Sequence, residues 1–208
     1  MKSYSVPLAE ARPAFLAALD VCEEAAGSLD DLTLLGASRV HGWSRLDCLV
    51  HVRLGLQEML AGLAARTDDT PDVDAASYWT AFEDGADVDP VPGILLTRRV
   101  AAAYTRPGHA VQHLHEVAHG LRHAVPAVAD EPIAFQGHVL TAGDMLATWA
   151  VELAVHHHDL SLPSEAPAPA PAAVHIGRFT AEALDDTSGA RAHAGGDLAV
   201  MLAGFGRR

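Results

Sequence analysis

The chain has 208 residues, half of them hydrophobic, with 5% aromatics and a formal charge of −13. That length suits one domain, or one domain with an appendage, and supplies enough apolar residues for a sizeable core. The acidic balance argues against nucleic acid or an anionic membrane as partner, since both need a basic patch. The two cysteines, Cys22 and Cys48, have neither CxxC spacing nor the density of a disulfide framework. They read as reduced thiols, which points to the cytoplasm. The N-terminal stretch lacks the apolar segment of a signal peptide, and no apolar run approaches the roughly 20 residues of a membrane span.

In chain order, Leu8 to Ala26 reads as a first helix with an apolar stripe of Phe15, Leu16, Leu19 and Cys22. Pro13 marks either its start or a kink. A linker follows through Gly36. Ser44 and Asp47 have the spacing of a capping box, with Trp43 at the staple position, so a second helix is expected from Arg45 to Arg66. Its apolar residues cover a broad arc, as in a helix buried against two neighbours. Residues 67–93 are acidic and proline-bearing, and read as a long functional loop with a short helix at Ser77 to Glu83. Ile94 to Tyr104 is expected to be helical. After a break at Arg106 to Gly108, Val111, Leu114, Val117, Leu121 and Val125 repeat at helical spacing toward Pro126. A turn with Pro132 and a hinge at Gly137 lead into a helix opened by Thr141 and Asp144. Residues 163–173 read as a semi-rigid Pro/Ala linker. Val174 to Leu184 and Asp197 to Ala203 then read as short helices, separated at Gly195-Gly196, that dock on the bundle. Alternating strand patterns are nearly absent. The expected fold is all-α, a four-helix bundle with extra short helices and a small C-terminal extension. Its parts are a bundle domain over 1–162, a linker over 163–173 and an extension over 174–208.

Polar groups stand out against this apolar background at the end of the Thr141 helix. Positions four apart share a face, so Met145, Trp149, Glu152 and His156 form one stripe that starts as core and ends in a carboxylate and an imidazole. Burying such groups unpaired costs several kcal/mol, and a divalent metal would satisfy them. In a chain with 13 histidines the Glu-x-x-x-His spacing is weak by itself, and an exposed ion pair near a helix end is the alternative. His51, within the apolar arc of the second helix, is the natural third ligand; the alternative is a core histidine with one hydrogen bond. Two imidazoles and a carboxylate suit zinc, nickel or iron(II), and three protein ligands leave a position open. His157, His158 and Asp159 read as helix-end residues near the last carbonyls, with Asp159 also able to orient an imidazole. His109, His113, His115, His119 and His123 fall off the apolar phase of their helix and read as a solvated face. Cys48, in a first helical turn where the dipole lowers a thiol pKa, reads as a small buried hydrophobe rather than a nucleophile.

The segments GWSRLDCLVH and LTAGDMLATWAVELAVHHHDL resemble the bundle domain of mycothiol-dependent maleylpyruvate isomerase-like proteins, within the DinB-like superfamily. The resemblance extends over about residues 8–160 in layout. It implies a divalent metal, usually zinc, on His51, Glu152 and His156, with the open position taking the thiolate of mycothiol. The thiolate would add to an electrophilic small molecule, giving isomerisation by addition, rotation and elimination, or giving thiol transfer. The chain departs from the isomerase proper, whose substantial second domain contributes to the active site. Here only residues 174–208 follow the linker.

The expected function is therefore that of a metal-dependent, mycothiol-using enzyme, monomeric or dimeric, whose partners are a small-molecule thiol and an electrophilic substrate. Its pocket is expected between the second helix and the Thr141 helix, under the 67–93 loop. One alternative is a metal-dependent hydrolase with Asp47 or Asp159 as base. Another is a non-catalytic bundle whose metal is structural or absent.

Overall fold

The computed structural model describes residues 2–81, 91–160, 162, 166–185 and 196–207. Four long helices make the bundle: α1 (Leu8–Gly27), α3 (Arg45–Gly62), α5 (Gly108–Ala124) and α6 (Ala142–Asp159). Neighbours run α1, α6, α3, α5 and back to α1. The α1–α6 pair approaches most closely, and α3–α6 is the loosest of the four edges. Shorter helices surround them: α2 (Asp31–Leu35), α4 (Val91–Ala102), α7 (Pro171–Asp185) and α8 (Asp197–Gly204). The protein is predominantly all-α, as its sequence predicts.

The tightness of α1 on α6 has a local cause. Thr141 Oγ1 accepts from the backbone N–H of Asp144, capping α6 at the expected position. The Asp144 carboxylate in turn accepts from Thr141 Oγ1, from Ser5 Oγ and from the N–H of Val6. That draws the segment leading into α1 across the first turn of α6. A Cβ on Gly143 would stand 2.1 Å from the Val6 carbonyl oxygen, so only glycine fits there. Burial of Asp144 pushes its carboxyl above the ordinary range, while the bonds from Val6, Thr141 and Ser5 act the other way.

At α3 the capping box forms as expected. Ser44 Oγ accepts from the Asp47 N–H, and the Asp47 carboxylate accepts from the Ser44 N–H. The helix ends at Gly62, short of the Arg66 that the apolar run suggests. Helix α1 begins at Leu8 and runs through Pro13.

Four further departures from the sequence expectation are local. The stretch before Gly36 holds α2, capped by Asp30. The segment around Gly137 is a hairpin, β1 (Ile133–Phe135) and β2 (His138–Leu140), with Ile133 paired to Leu140. Its turn residues Gln136 and Gly137 both have positive φ, 50° and 85°, as a two-residue hairpin turn requires. Helix α7 starts at Pro171, inside the stretch read as linker, and proline is well suited to a first helical turn. The Ser77 helix is a single 3-10 turn, Ser77–Trp79. Its expected end at Glu83, and Gly195, lie outside the described residues.

Helix α7 packs on α8, α6 and α1. No helix among the described residues is long and apolar enough to cross a membrane.

Candidate metal centre

The loose α3–α6 edge opens a cavity of about 710 Å³. Helix α3 contributes His51, Gly55 and Glu58 to its wall, and α6 contributes Thr148, Trp149 and Glu152. Tyr78 and Trp79 close one side, and Gly93 to Thr97 of α4 reach over another. A cavity between these two helices is what the sequence leads one to expect, while residues 82–90 of the loop expected above it lie outside the described residues. The Trp149 ring packs directly on Gly55, where a Cβ would lie 2.5 Å from it.

At one end of the cavity His51, Glu152 and His156 converge. One ligand atom from each lies within 4.8 Å of the other two. Glu152 Oε1 is 3.5 Å from His51 Nε2 and 3.0 Å from His156 Nε2. Metal bonds of about 2.0–2.1 Å at a tetrahedral angle put ligand atoms about 3.3 Å apart, so both distances from Glu152 are close to ligand spacing and the composition of the donor set fits as well. The rings of the two histidines meet edge to face at 4.9 Å. His51 is 41% exposed and His156 9%, so the cluster runs from the cavity into the core.

The buried side of His156 is also occupied. Its Nδ1 lies 3.1 Å from Asp159 Oδ2 and 3.8 Å from the sulfur of buried Cys48. A bound metal would take the place of the proton on Nε2, and a proton on Nδ1 donated to Asp159 would then leave the Nε2 lone pair facing Glu152 and His51. That arrangement of carboxylate, histidine and open lone pair is the one that fixes the tautomer of metal-binding imidazoles. Arg207 donates from Nε and Nη2 to the Asp159 carboxylate, at 3.1 and 2.8 Å.

Charge explains how such groups are tolerated in the core. For Glu152, burial would raise the carboxyl, but His156 and His51 outweigh it and hold the group far below the usual range. Burial opposes protonation of His156, yet Glu152 and Asp159 raise its pKa well above that of an ordinary imidazole. Against burial, His156 and Arg207 hold Asp159 down at about 2.

The other histidines divide as their phase suggests. His109, His113, His115, His119 and His123 are all exposed. His157 donates from Nε2 to the Pro167 carbonyl oxygen, 2.8 Å away, and lies apart from the triad. Among the described residues the His51, Glu152 and His156 group is the one cluster with metal-ligand spacing.

Sequence reasoning missed several residues of the site. Arg207 arrives from beyond α8 and carries no local motif. Tyr78, Trp79, Gln136 and Glu58 meet only through tertiary packing. The acidic loop around Ser77 was the available signal for the first two.

The pattern of the mycothiol maleylpyruvate isomerase N-terminal domain family matches residues 15–161, well over half of the chain. The chain belongs to this family. A crystal structure of a histidine-to-alanine mutant of the mycothiol-dependent maleylpyruvate isomerase has the same fold. The TM-score is 0.61, covering 87% of this chain and 72% of that one, at 14% identity. No curated protein matches the sequence. Within the maleylpyruvate isomerase N-terminal domain, the matched span contains His51, Glu152, His156 and Asp159, whereas Arg207 lies outside it.

Proposed function

We propose that this protein is a metal-dependent enzyme that uses mycothiol, with a divalent ion, most simply zinc, held by His51, Glu152 and His156. The observation that carries the reading is the convergence of these three ligand atoms at the end of a cavity of small-molecule size. A bound zinc would supply one open position where a low-molecular-weight thiol is kept as the thiolate near neutral pH. The residues of the chain then divide the remaining work. Asp159 keeps the His156 proton on Nδ1, with Arg207 holding the carboxylate in place. Trp43, Trp79 and Trp149 line the space beside the ligands and exclude water from it. A thiolate held there would supply the nucleophile for addition to an activated C=C bond of a substrate resting against these rings, the π electrons passing to the activating carbonyl; later loss of the thiolate would give isomerisation, and protonation of the adduct would give thiol transfer.

The hydrolase alternative has less support. Asp47 is engaged in the capping box of α3, and Asp159 faces the buried nitrogen of His156 rather than the cavity. Neither is positioned to take a proton from water beside the ligands.

The test is metal content by plasma emission on tag-free protein, together with His51→Ala and Glu152→Ala. Near-stoichiometric zinc that disappears in both variants is the expected result. Calorimetric titration with mycothiol should then give heat with the zinc-loaded protein alone. Zinc retained by both variants, or no heat with mycothiol, would overturn the proposal.

A further inference from the structure

The cavity has two unlike ends. Away from the metal ligands a hydrogen-bond chain crosses its wall. Tyr78 Oη donates to Gln136 Oε1 at 2.5 Å, and Gln136 Nε2 donates to Glu58 Oε2 at 3.0 Å. Glu58 is seven residues beyond His51 on α3, which is two turns or about 10 Å along the helix axis. Every bond in the chain points toward Glu58, so it ends in an acceptor, and Glu58 Oε1 accepts from no described residue. Gln136 is held in this chain from a left-handed backbone position, φ 50°. For a residue other than glycine that costs on the order of 1 kcal/mol.

Charge separates the two ends further. Among the described residues, those lining the cavity include Glu58 and Glu152 but no lysine or arginine. With zinc and a thiolate in place, the two charges of the metal are cancelled by the thiolate and Glu152. Glu58 then sets the charge of the remaining space. A carboxylate placed there would meet like charge among tryptophan rings, with no cation to pair with among the described lining residues.

We propose that the second substrate is a flat, apolar electrophile bearing a hydrogen-bond donor, an ammonium or a hydroxyl group, at the end remote from its reacting carbon. It is not a dicarboxylate such as maleylpyruvate. The donor end binds Glu58 Oε1, the apolar body lies against Trp79 and Trp149, and a cationic end gains from the ring faces as well. The inference rests on the reading of the cavity as the substrate site of the metal centre.

The test uses three probes of one length: 4-phenylbutylamine, 4-phenylbutanol and 4-phenylbutyrate. All three tryptophans of the chain line the cavity, so intrinsic fluorescence and calorimetry both read binding there. In protein loaded with zinc and saturating mycothiol, the amine should bind at least about tenfold tighter than the butyrate, with the alcohol between them. Glu58→Gln, at an exposed position, should remove the advantage of the amine over the alcohol. An amine advantage over both, lost in the variant, identifies an ammonium. Amine and alcohol equal, both above the butyrate and both weakened in the variant, identify a hydroxyl.

Butyrate binding as tightly as the amine, preferences unchanged in Glu58→Gln, or no binding of any probe up to about 10 mM would overturn the inference. The same titrations on metal-free protein separate the two claims. A preference against the butyrate that persists there, in a protein that takes up no zinc, sustains the charge selection while the thiol reading falls. Zinc bound at the triad together with a preference for the butyrate does the reverse.

Discussion

Asp159 Oδ2 lies 3.1 Å from Nδ1 of His156, three residues earlier on the same helix. The carboxylate is almost fully buried, and Arg207 grips it through two nitrogens. Asp159→Asn keeps the shape but removes the charge that orients and enriches the imidazole. Zinc affinity, measured by competition with a chelating dye, should fall about 10- to 100-fold. Arg207→Met should cause a smaller loss in the same direction, because it acts through Asp159. Unchanged affinity in Asp159→Asn would remove this carboxylate from the centre.

Gly55 and Trp149 test the cavity wall. A methyl group on Gly55 would sit 2.5 Å from a rigid indole ring, so the ring must move. Gly55→Ala should destabilise the fold by about 1–3 kcal/mol through this overpacking, offset in part by better helix propensity. The tryptophan emission should shift, and mycothiol binding should weaken while zinc content is retained. Loss of zinc along with the thiol would mean that the wall and the centre are not separable.

A second buried carboxylate has a purely structural setting. Glu23 of α1 is 6% exposed and pairs with His115 and Arg122 of α5. Glu23→Ala leaves a half-exposed guanidinium that reaches water and Asp20, so the cost should be about 1–2 kcal/mol. Arg122→Met leaves the buried carboxylate with His115 alone and should cost more, about 2–3 kcal/mol. The order of the two urea midpoints decides the matter.

Both cysteines are buried, and burial pushes the Cys22 thiol up to about 12, with Cys48 adding to the effect. Neither should react with a disulfide reagent at about pH 8, while two thiols per chain should appear in guanidinium. The folded state holds the Cys22 proton more tightly than the unfolded chain. Stability is therefore retained below pH about 9 and falls between about 9 and 12, as the unfolded thiol ionises first. Cys22→Ala should flatten that alkaline slope.

The bundle and the convergence of His51, Glu152 and His156 were legible in the sequence because each obeys a local periodicity. His51 falls in the apolar arc of α3, and Glu152 and His156 sit on the core stripe of α6. Caps at Ser44 and Thr141 fixed both helix starts. The hairpin was not legible, since Ile133–Phe135 and His138–Leu140 are too short to show alternation, and Gln136 is an unusual choice for its turn. Helix α7 was cut short because alanine and proline read as linker, although both suit a helix start. The Tyr78, Gln136 and Glu58 chain and the Arg207 contact join residues far apart in sequence, and no spacing rule predicts them.

The loose α3–α6 edge also affects how unfolding of this protein should be measured. Trp43, Trp79 and Trp149 all line the cavity that opens at that seam, while helix is spread over the whole bundle. Fluorescence therefore reports local opening of the seam, and circular dichroism reports the loss of the bundle. If the seam parts first, the two probes give separate midpoints, and a single unfolding free energy taken from fluorescence alone would describe the seam rather than the protein.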